Sequence, residues 1–412
     1  MPAAPLTAPT RQTRLARAAV AALFLTNGAV FFNIIPRYPQ IKADLGVSNA
    51  VFGTALAGYP IGALLAGLLA GAAIRRFHSA RVAAFGIVVT TLATLVIPFA
   101  PNWVALGGAL FVVGALDAVV DVAQNAHGLR VQRLYRRSIL NSLHGVWSIG
   151  AVLGGVMGSA AAGLRIPLVV HLSISATLFS IVAIVAYRFL LPGPEDIERP
   201  AEAQDLGAAG GHPAAPPPHR KGRRSFTDSA VWMLVALGVL AACGALVEDA
   251  GASWGALYLS GDLRTDAATA GLAVVALQVA MTVGRLAGDR VVNRFGQRTV
   301  VHAGGALAAV GMGAALAVPT VGTALAGFAL AGLGVATLVP AAMHAADELP
   351  GLPAGTGLTI VSWLLRGGSL LSPPLVGFVA DLTSLRVGLL SVVLAGVITV
   401  ALARVLVDRT PA

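Results

Sequence analysis

This sequence predicts an all-α membrane protein of twelve transmembrane helices arranged as two pseudo-symmetric six-helix bundles. Three observations predict it. Of 412 residues, 57% are hydrophobic and 11% charged, where a soluble domain carries about 25% charged residues. Apolar runs near the length of a bilayer span, roughly 17–25 residues, recur along the chain. The arginines between them crowd into alternate loops.

The runs fall near 18–36, 50–74, 82–100, 103–127, 139–162 and 167–191, and resume near 230–258, 267–292, 299–318, 322–344, 355–380 and 386–407. Backbone groups in hydrocarbon have to be satisfied within their own segment, so each run is a helix. Residues 1–17 form an N-terminal tail, 18–192 the first bundle, 229–407 the second, and 408–412 a short C-terminal tail. Between the bundles, 193–228 is polar and rich in Pro, Gly and charge. It reads as a disordered linker rather than a domain.

The net charge of +10 is placed by topology. Arg11, Arg14 and Arg17 precede the first run; Arg75, Arg76 and Arg81 separate the second from the third. Arg130, Arg133, Arg136 and Arg137 lie between the fourth and fifth, Arg220, Lys221, Arg223 and Arg224 in the linker, and Arg290, Arg294 and Arg298 between the eighth and ninth. The other loops hold far fewer, among them Lys42, Arg165, Arg264 and Arg386. This positive-inside pattern places both termini in the cytoplasm, and it argues against a nucleic-acid partner. The first run is longer than a signal-peptide core and is read as a retained helix. One cysteine, Cys243, leaves no internal disulfide and no metal cluster. Alanine, glycine and arginine usage with two lysines suggests a GC-rich bacterial genome, hence a bacterial cytoplasmic membrane.

The halves repeat at an offset of 218: Phe77 and Phe295, Gly53 and Gly271, Asp44 and Asp262, Leu45 and Leu263. Parallel six-helix repeats belong to transporters that bind solute near the midplane between the halves.

The most informative residues are acids inside apolar runs. Asp117 and Asp121 lie one turn apart in the fourth run, with Asn125 one turn further on, so all three share a helix face. A carboxylate at that depth costs a few kcal/mol or more and marks a place where a charge, proton or solute is handled. Neighbouring carboxylates share protons. The positions 218 later are Val335, Val339 and Met343, so packing does not demand the acids. The seventh run holds Glu248, Asp249, Gly251 and Trp254. The eleventh holds Arg366 near its middle, for which Glu248 or Asp249 is the first expected partner and an anionic solute the second. Gly150, Gly154 and Gly158 form a small-residue stripe for close helix packing. His127, His171, His302 and His344 lack metal-ligand spacing and read as structural. No phosphate-binding Gly-rich loop and no nucleophile–base set is present, so neither ATP hydrolysis nor an enzyme is expected, and no cofactor or metal.

Gly71–Arg81 and Gly284–Arg298 resemble the loop signature of the major facilitator superfamily. In the first copy the signature's acid is replaced by Arg75; the second keeps Asp289. The resemblance implies the major facilitator fold and a cytoplasmic gate formed by Arg76, Arg285, Asp289 and Arg294, with simple topology signalling as the alternative for the arginines. A narrower resemblance runs from Asp121-Val-Ala-Gln-Asn125 to Asn141-Ser-Leu-His144, and is to the bacterial fucose–proton symporter branch. It implies that Asp121 carries the coupling proton and that Asn125 and His144 contact solute; Asp117, on the same helix face, is read as its secondary partner and Glu248 as a candidate second coupling acid. The first-helix acid of that branch has no equivalent here; Asn27 and Asn33 are the polar residues available. Arg366 and Trp254 complete the expected solute set. The resulting expectation is a monomeric secondary transporter that moves a small polar solute across a lipid bilayer, coupled to protons. Export of a drug-like metabolite and a receptor that has lost transport are the alternatives.

Overall fold

The computed structural model describes residues 10–135, 139–193, 228–347, 349 and 356–406; most of the expected linker, both chain ends and the stretch leading into the eleventh helix lie outside them. The described residues are helical, with no strand among them. Eleven helices are long and apolar enough to cross a membrane. A further 27-residue helix, Thr356–Leu382, occupies the place of the eleventh run and is about 40 Å long at 1.5 Å per residue.

In the first bundle, span one is Arg11–Phe32, continued by a 3-10 turn, Ile35–Arg37, and a short helix, Tyr38–Leu45. Span two is in three pieces, Asn49–Leu56, Gly58–Gly67 and Ala70–Phe77. Spans three to six are Ser79–Thr94, Trp103–Tyr135, Leu140–Gly163 and Leu168–Tyr187. In the second bundle, spans seven to nine are Asp228–Gly261, Ala267–Phe295 and Gln297–Ala317. Span ten is Val321–Val335 with Leu338–Asp347, span eleven Thr356–Leu382, and span twelve Leu385–Gly388 with Leu390–Leu402. Successive spans alternate in direction. One face of the molecule (the terminal face) therefore carries the start of span one, the end of span six, the start of span seven and the end of span twelve, and the other carries the short loops after the odd-numbered spans.

Two helix ends and two interruptions differ from expectation, each for a local reason. The first helix begins at Arg11, so residues 11–17 are helical and not a tail; the Thr10 hydroxyl caps it by accepting from the Thr13 N–H at 3.2 Å. Span four runs to Tyr135, and Arg130 and Arg133 are helical: the Arg130 guanidinium donates to the carbonyls of Leu191, Pro192 and Gly193, closing the end of span six. Span two breaks at Ala57 because Pro60 has no N–H for the carbonyl of Leu56; span ten breaks at Ala336, four residues before Pro340.

The repeat shows in the backbone. Gly46 and Arg264 both have left-handed φ, 62° and 53°, and their numbers differ by 218 (264 − 46). His78 and Gly296 differ by the same 218 (296 − 78), with φ of 69° and 82°. Arg76 lies over the ring of Phe77 at 5.6 Å, and Arg294 over that of Phe295 at 5.5 Å. The helix starts that follow Gly46 and Arg264 are capped by Ser48 and by Asp266. The Thr269 hydroxyl and backbone N–H groups hold the Asp266 carboxyl below the usual carboxylate range. That cap is complete at neutral pH and is lost as the pH falls through the lowered value.

Glycines set the close packing inside the first bundle. The stripe in span five meets span one backbone to backbone: Gly150, Gly154 and Gly158 lie against the carbonyls of Leu25, Ala29 and Asn33, and Gly28 lies against that of Trp147. Spans two and four do the same through Gly58, Gly62 and Gly114, the last against the carbonyl of Tyr59. Span four is thereby held against span two at the level of its acids.

The bundles touch most closely at the face opposite the terminal face. There Gly53 of span two faces Pro373 of span eleven, Gly377 faces Asn49, and Gly271 of span eight faces Ser159 of span five.

Candidate functional site

Asp117 is the centre of a hydrogen-bonded network inside the first bundle. Its Oδ1 accepts from Asn27 Nδ2 at 2.7 Å and its Oδ2 from the Tyr59 hydroxyl at 2.8 Å. Trp147 Nε1 donates to Asn27 Oδ1 at 2.9 Å, which fixes the direction of the amide. Spans one, two, four and five each supply one member. Phe31 stacks on the Tyr59 ring at 4.1 Å, and Phe32 meets Trp147 edge-on at 6.0 Å, so the network has an aromatic wall. Both carboxylate oxygens are thus met by neutral donors, with no cation among the described residues bonded to either.

Asp121, one turn nearer the terminal face, is placed differently. Asn125 Nδ2 donates to its carbonyl at 2.9 Å and to Oδ1 at 3.1 Å. His144 of span five and Arg366 of span eleven are within its electrostatic reach. His144 packs edge-on against Phe24 at 5.4 Å and is exposed, as is Arg366. Asp121 thus has Asn125 and His144 of its own bundle and Arg366 of the other as its polar neighbours.

In the second bundle Glu248 does not pair with Arg366. It forms an ion pair with Arg285 of span eight at 3.1 Å and accepts from Gln278 Nε2 at 3.4 Å. Asp249 turns to span eleven, where it lies beside Ser369. Adjacent residues on a helix point about 100° apart, so the two acids of span seven serve two different neighbours. Arg366 makes no side-chain bond to a described residue. The Glu248–Arg285 pair is partly exposed, at 25% and 35% of the side-chain surface. Glu248→Gln is therefore expected to destabilise the protein by about 1 kcal/mol, screened by solvent. A thermal-shift comparison checks this; an unchanged melting temperature would mean that the pair contributes nothing in this state.

The remaining expected residues divide. Asn27 is buried and holds Asp117, both ends of its amide being occupied. Asn33 is engaged elsewhere: it is 1% exposed, donates to Ser175 at 2.8 Å and meets His171 Nε2 at 2.7 Å. It sits near the end of span one, on the side that faces span six. Trp254 is fully buried at the opposite face, edge-on to Phe52 at 6.3 Å and against Gly53 and Gly377. It fills the seam between the bundles rather than lining the space around Asp121. The residues expected to form the cytoplasmic gate are not brought together. Arg285 is engaged by Glu248, Asp289 is exposed without a side-chain bond to a described residue, and Arg76 and Arg294 lie on the phenylalanines that follow them.

Tyr59, Trp147, Gln278 and Ser369 belong to these networks and were not singled out from the sequence. The available signal for the first two was a hydroxyl and an indole N–H inside apolar runs, groups that need partners when buried. Tyr59→Phe, which leaves one oxygen of Asp117 without its donor, is expected to cost about 1–3 kcal/mol in thermal stability. A double-mutant cycle with Asn27→Ala measures how far the two donors are coupled.

Comparison with known proteins places this geometry. Residues 20–248 and 249–412 match the family described as Major Facilitator Superfamily. The chain is 31% identical over 396 residues to the membrane protein MosC of Rhizobium meliloti, covering 96% of this chain and 91% of that one. It is 28% identical over 387 residues to the uncharacterized transporter y4wD of Sinorhizobium fredii, covering 94% and 97%. Among solved structures, the nucleoside transporter NupG superimposes with a TM-score of 0.69 at 15% identity, over 96% of this chain and 98% of that one. FucP, in its outward conformation, gives a TM-score of 0.59 at 15% identity over 96% and 99%. At these identities the likeness is one of fold.

Proposed function

This chain belongs to the major facilitator superfamily and is a multi-pass membrane transporter, not an enzyme, and from that premise we propose that it moves a small polar solute by alternating access coupled to protons. The bundles rock about the group of Asp121, Asn125, His144 and Arg366. Asp121 is the coupling acid and Asp117 the second acid. The single observation that carries this reading is the placement of Asp121 in one bundle, within electrostatic reach of Arg366 of the other and without an ion pair to a described residue. A carboxylate beside a guanidinium keeps its charge, and one withdrawn from it into an apolar setting takes up a proton. Rocking changes the separation of the two, so protonation and access are linked through a difference between the two states.

Asn125 and His144 are the proposed solute contacts on the first bundle, and Arg366 on the second. Asn27 serves them indirectly by holding Asp117. The positive-inside arginines support a cytoplasmic terminal face in a bacterial cytoplasmic membrane, with the transporter acting as a monomer. The test is uptake into proteoliposomes under an imposed pH gradient. Solutes are chosen first by thermal shift, with sugars and nucleosides compared against hydrophobic cations. Stabilisation by polar solutes and accumulation driven by the gradient are expected. Stabilisation by hydrophobic cations alone, with efflux under the gradient, would replace this reading with drug export.

A further inference from the structure

At the face opposite the terminal face, the first turn of span two is capped from the other bundle. Asp381, at the end of span eleven, accepts from the backbone N–H of Asn49 at 2.8 Å and from that of Ala50 at 2.7 Å, one bond to each carboxylate oxygen. The Ser48 and Asn49 side chains lie beside the same carboxylate. The unpaired N–H groups of a helix start, together with the positive end of the helix dipole, favour an anion there. Here that anion lies 332 residues away in sequence, in the second bundle.

The repeat shows that the fold does not require this arrangement. The position 218 before Asp381 is Gly163, at the end of span five (381 − 218), and it meets span eight through bare contact with Ala268. Ala268 is in turn 218 beyond Ala50 (268 − 50). Both helix starts have a cap of their own, Ser48 for span two and Asp266 for span eight; only span two carries a carboxylate from the other bundle in addition. One of the two interfaces between bundles at this face is thus closed by a carboxylate, and the equivalent interface is not.

The contacts next to Asp381 extend the closure inward. One turn before it, Gly377 lies against the carbonyl of Asn49 and the edge of Trp254; one turn beyond Asn49, Gly53 lies against the carbonyl of Pro373 and the same indole. A cavity of about 470 Å³, lined in part by Lys42, Asn49, Asp262 and Ala380, reaches the seam from this face.

We propose that Asp381 is the latch of this face: its carboxylate, seated on the N-terminus of span two, holds the bundles together there and has to leave that seat each time the face opens. Asp381 is a positioning residue in this scheme and touches no solute. The proposal rests on the rocking of two bundles, and not on which acid carries the proton.

The test is a spin-label distance measurement across the seam in the full chain. Labels are placed at Thr54 and Thr383 in a Cys243→Ser background. Wild type is expected to show mainly the short distance. Asp381→Ala is expected to raise the ratio of long to short distance about fivefold, the size of losing a helix cap. Asp381→Asn, which has the same shape and still accepts bonds, is expected to raise it less. Asp266→Ala removes a comparable cap within one bundle and is expected to leave the distance unchanged. The proposal is overturned if the folded Asp381→Asn and Asp381→Ala proteins keep the wild-type distribution. It is equally overturned if Asp266→Ala shifts the distance as far as Asp381→Ala does.

Discussion

Asp121→Asn is expected to lower pH-gradient-driven uptake by about a hundredfold, the scale of removing a positioned proton carrier, while solute counterflow at equal pH continues. Asparagine has the size of the acid and keeps an acceptor oxygen for Asn125, so the local hydrogen bonds survive. It has no proton to exchange, so flux is uncoupled from the gradient. Asp117→Asn is expected to act on stability as well. Asp117 accepts from Tyr59 and from Asn27, one bond on each oxygen, and an amide in its place turns its NH2 toward one of those donors. A buried polar clash of that kind costs about 1–3 kcal/mol. The two variants therefore separate coupling from structure. If Asp121→Asn retains driven uptake, and Asp117→Asn loses it without a fall in melting temperature, the proton belongs to Asp117.

Gly53→Val is expected to block closure of the face opposite the terminal face, and with it net transport. A Cβ at Gly53 would sit 2.8 Å from the Pro373 carbonyl carbon and 3.0 Å from Trp254, closer still to the carbonyl oxygen. Backbone on that side cannot rotate away. Overpacking of this kind costs about 3 kcal/mol, which is roughly a hundredfold in the closed-to-open ratio. Counterflow and the same spin-label distance check it. Gly271→Val, at the repeat-related position, is expected to obstruct the same face, because beyond the Ser159 hydroxyl its Cβ would lie 2.7 Å from the Ser159 Cβ and 3.1 Å from that of Pro36, which no side-chain rotation moves. A Gly271→Val protein that closes like wild type would show that spans five and eight yield there.

The fold class was legible in the sequence because a bilayer restricts the choices so severely. A run of about twenty apolar residues has to satisfy its own backbone, and arginine has to stay out of the hydrocarbon, so length and charge placement set the number of helices and their alternation. The repeat was legible for the same reason, and the structure carries it down to paired backbone angles at Gly46 and Arg264. The chemical interest of span four was legible too, because a carboxylate at that depth has a cost that composition alone reveals.

Partners were not legible. Tyr59 and Asn27 lie 58 and 90 residues from Asp117, and Trp147 lies 120 from Asn27. No periodicity connects residues on four different helices. The repeat gives no help either: the positions 218 beyond Asn27, Tyr59, Asp117 and Trp147 are Ala245, Leu277, Val335 and Leu365. The pairing of Glu248 with Arg285 rather than Arg366 follows from the rotation of span seven against spans eight and eleven. The same is true of Asn33, whose polar side chain was visible but whose direction was not.

By itself, then, the sequence determined the number of helices, their alternation, the twofold repeat and the depth at which charge is buried, because each follows from the cost of polar groups in hydrocarbon. Only the tertiary structure decided which carboxylate is bonded within one bundle, which faces the other, and that Asp381 caps a helix 332 residues away. Those outcomes depend on how helices are rotated and packed against one another, and backbone contacts of glycines such as Gly114 and Gly150 set that geometry.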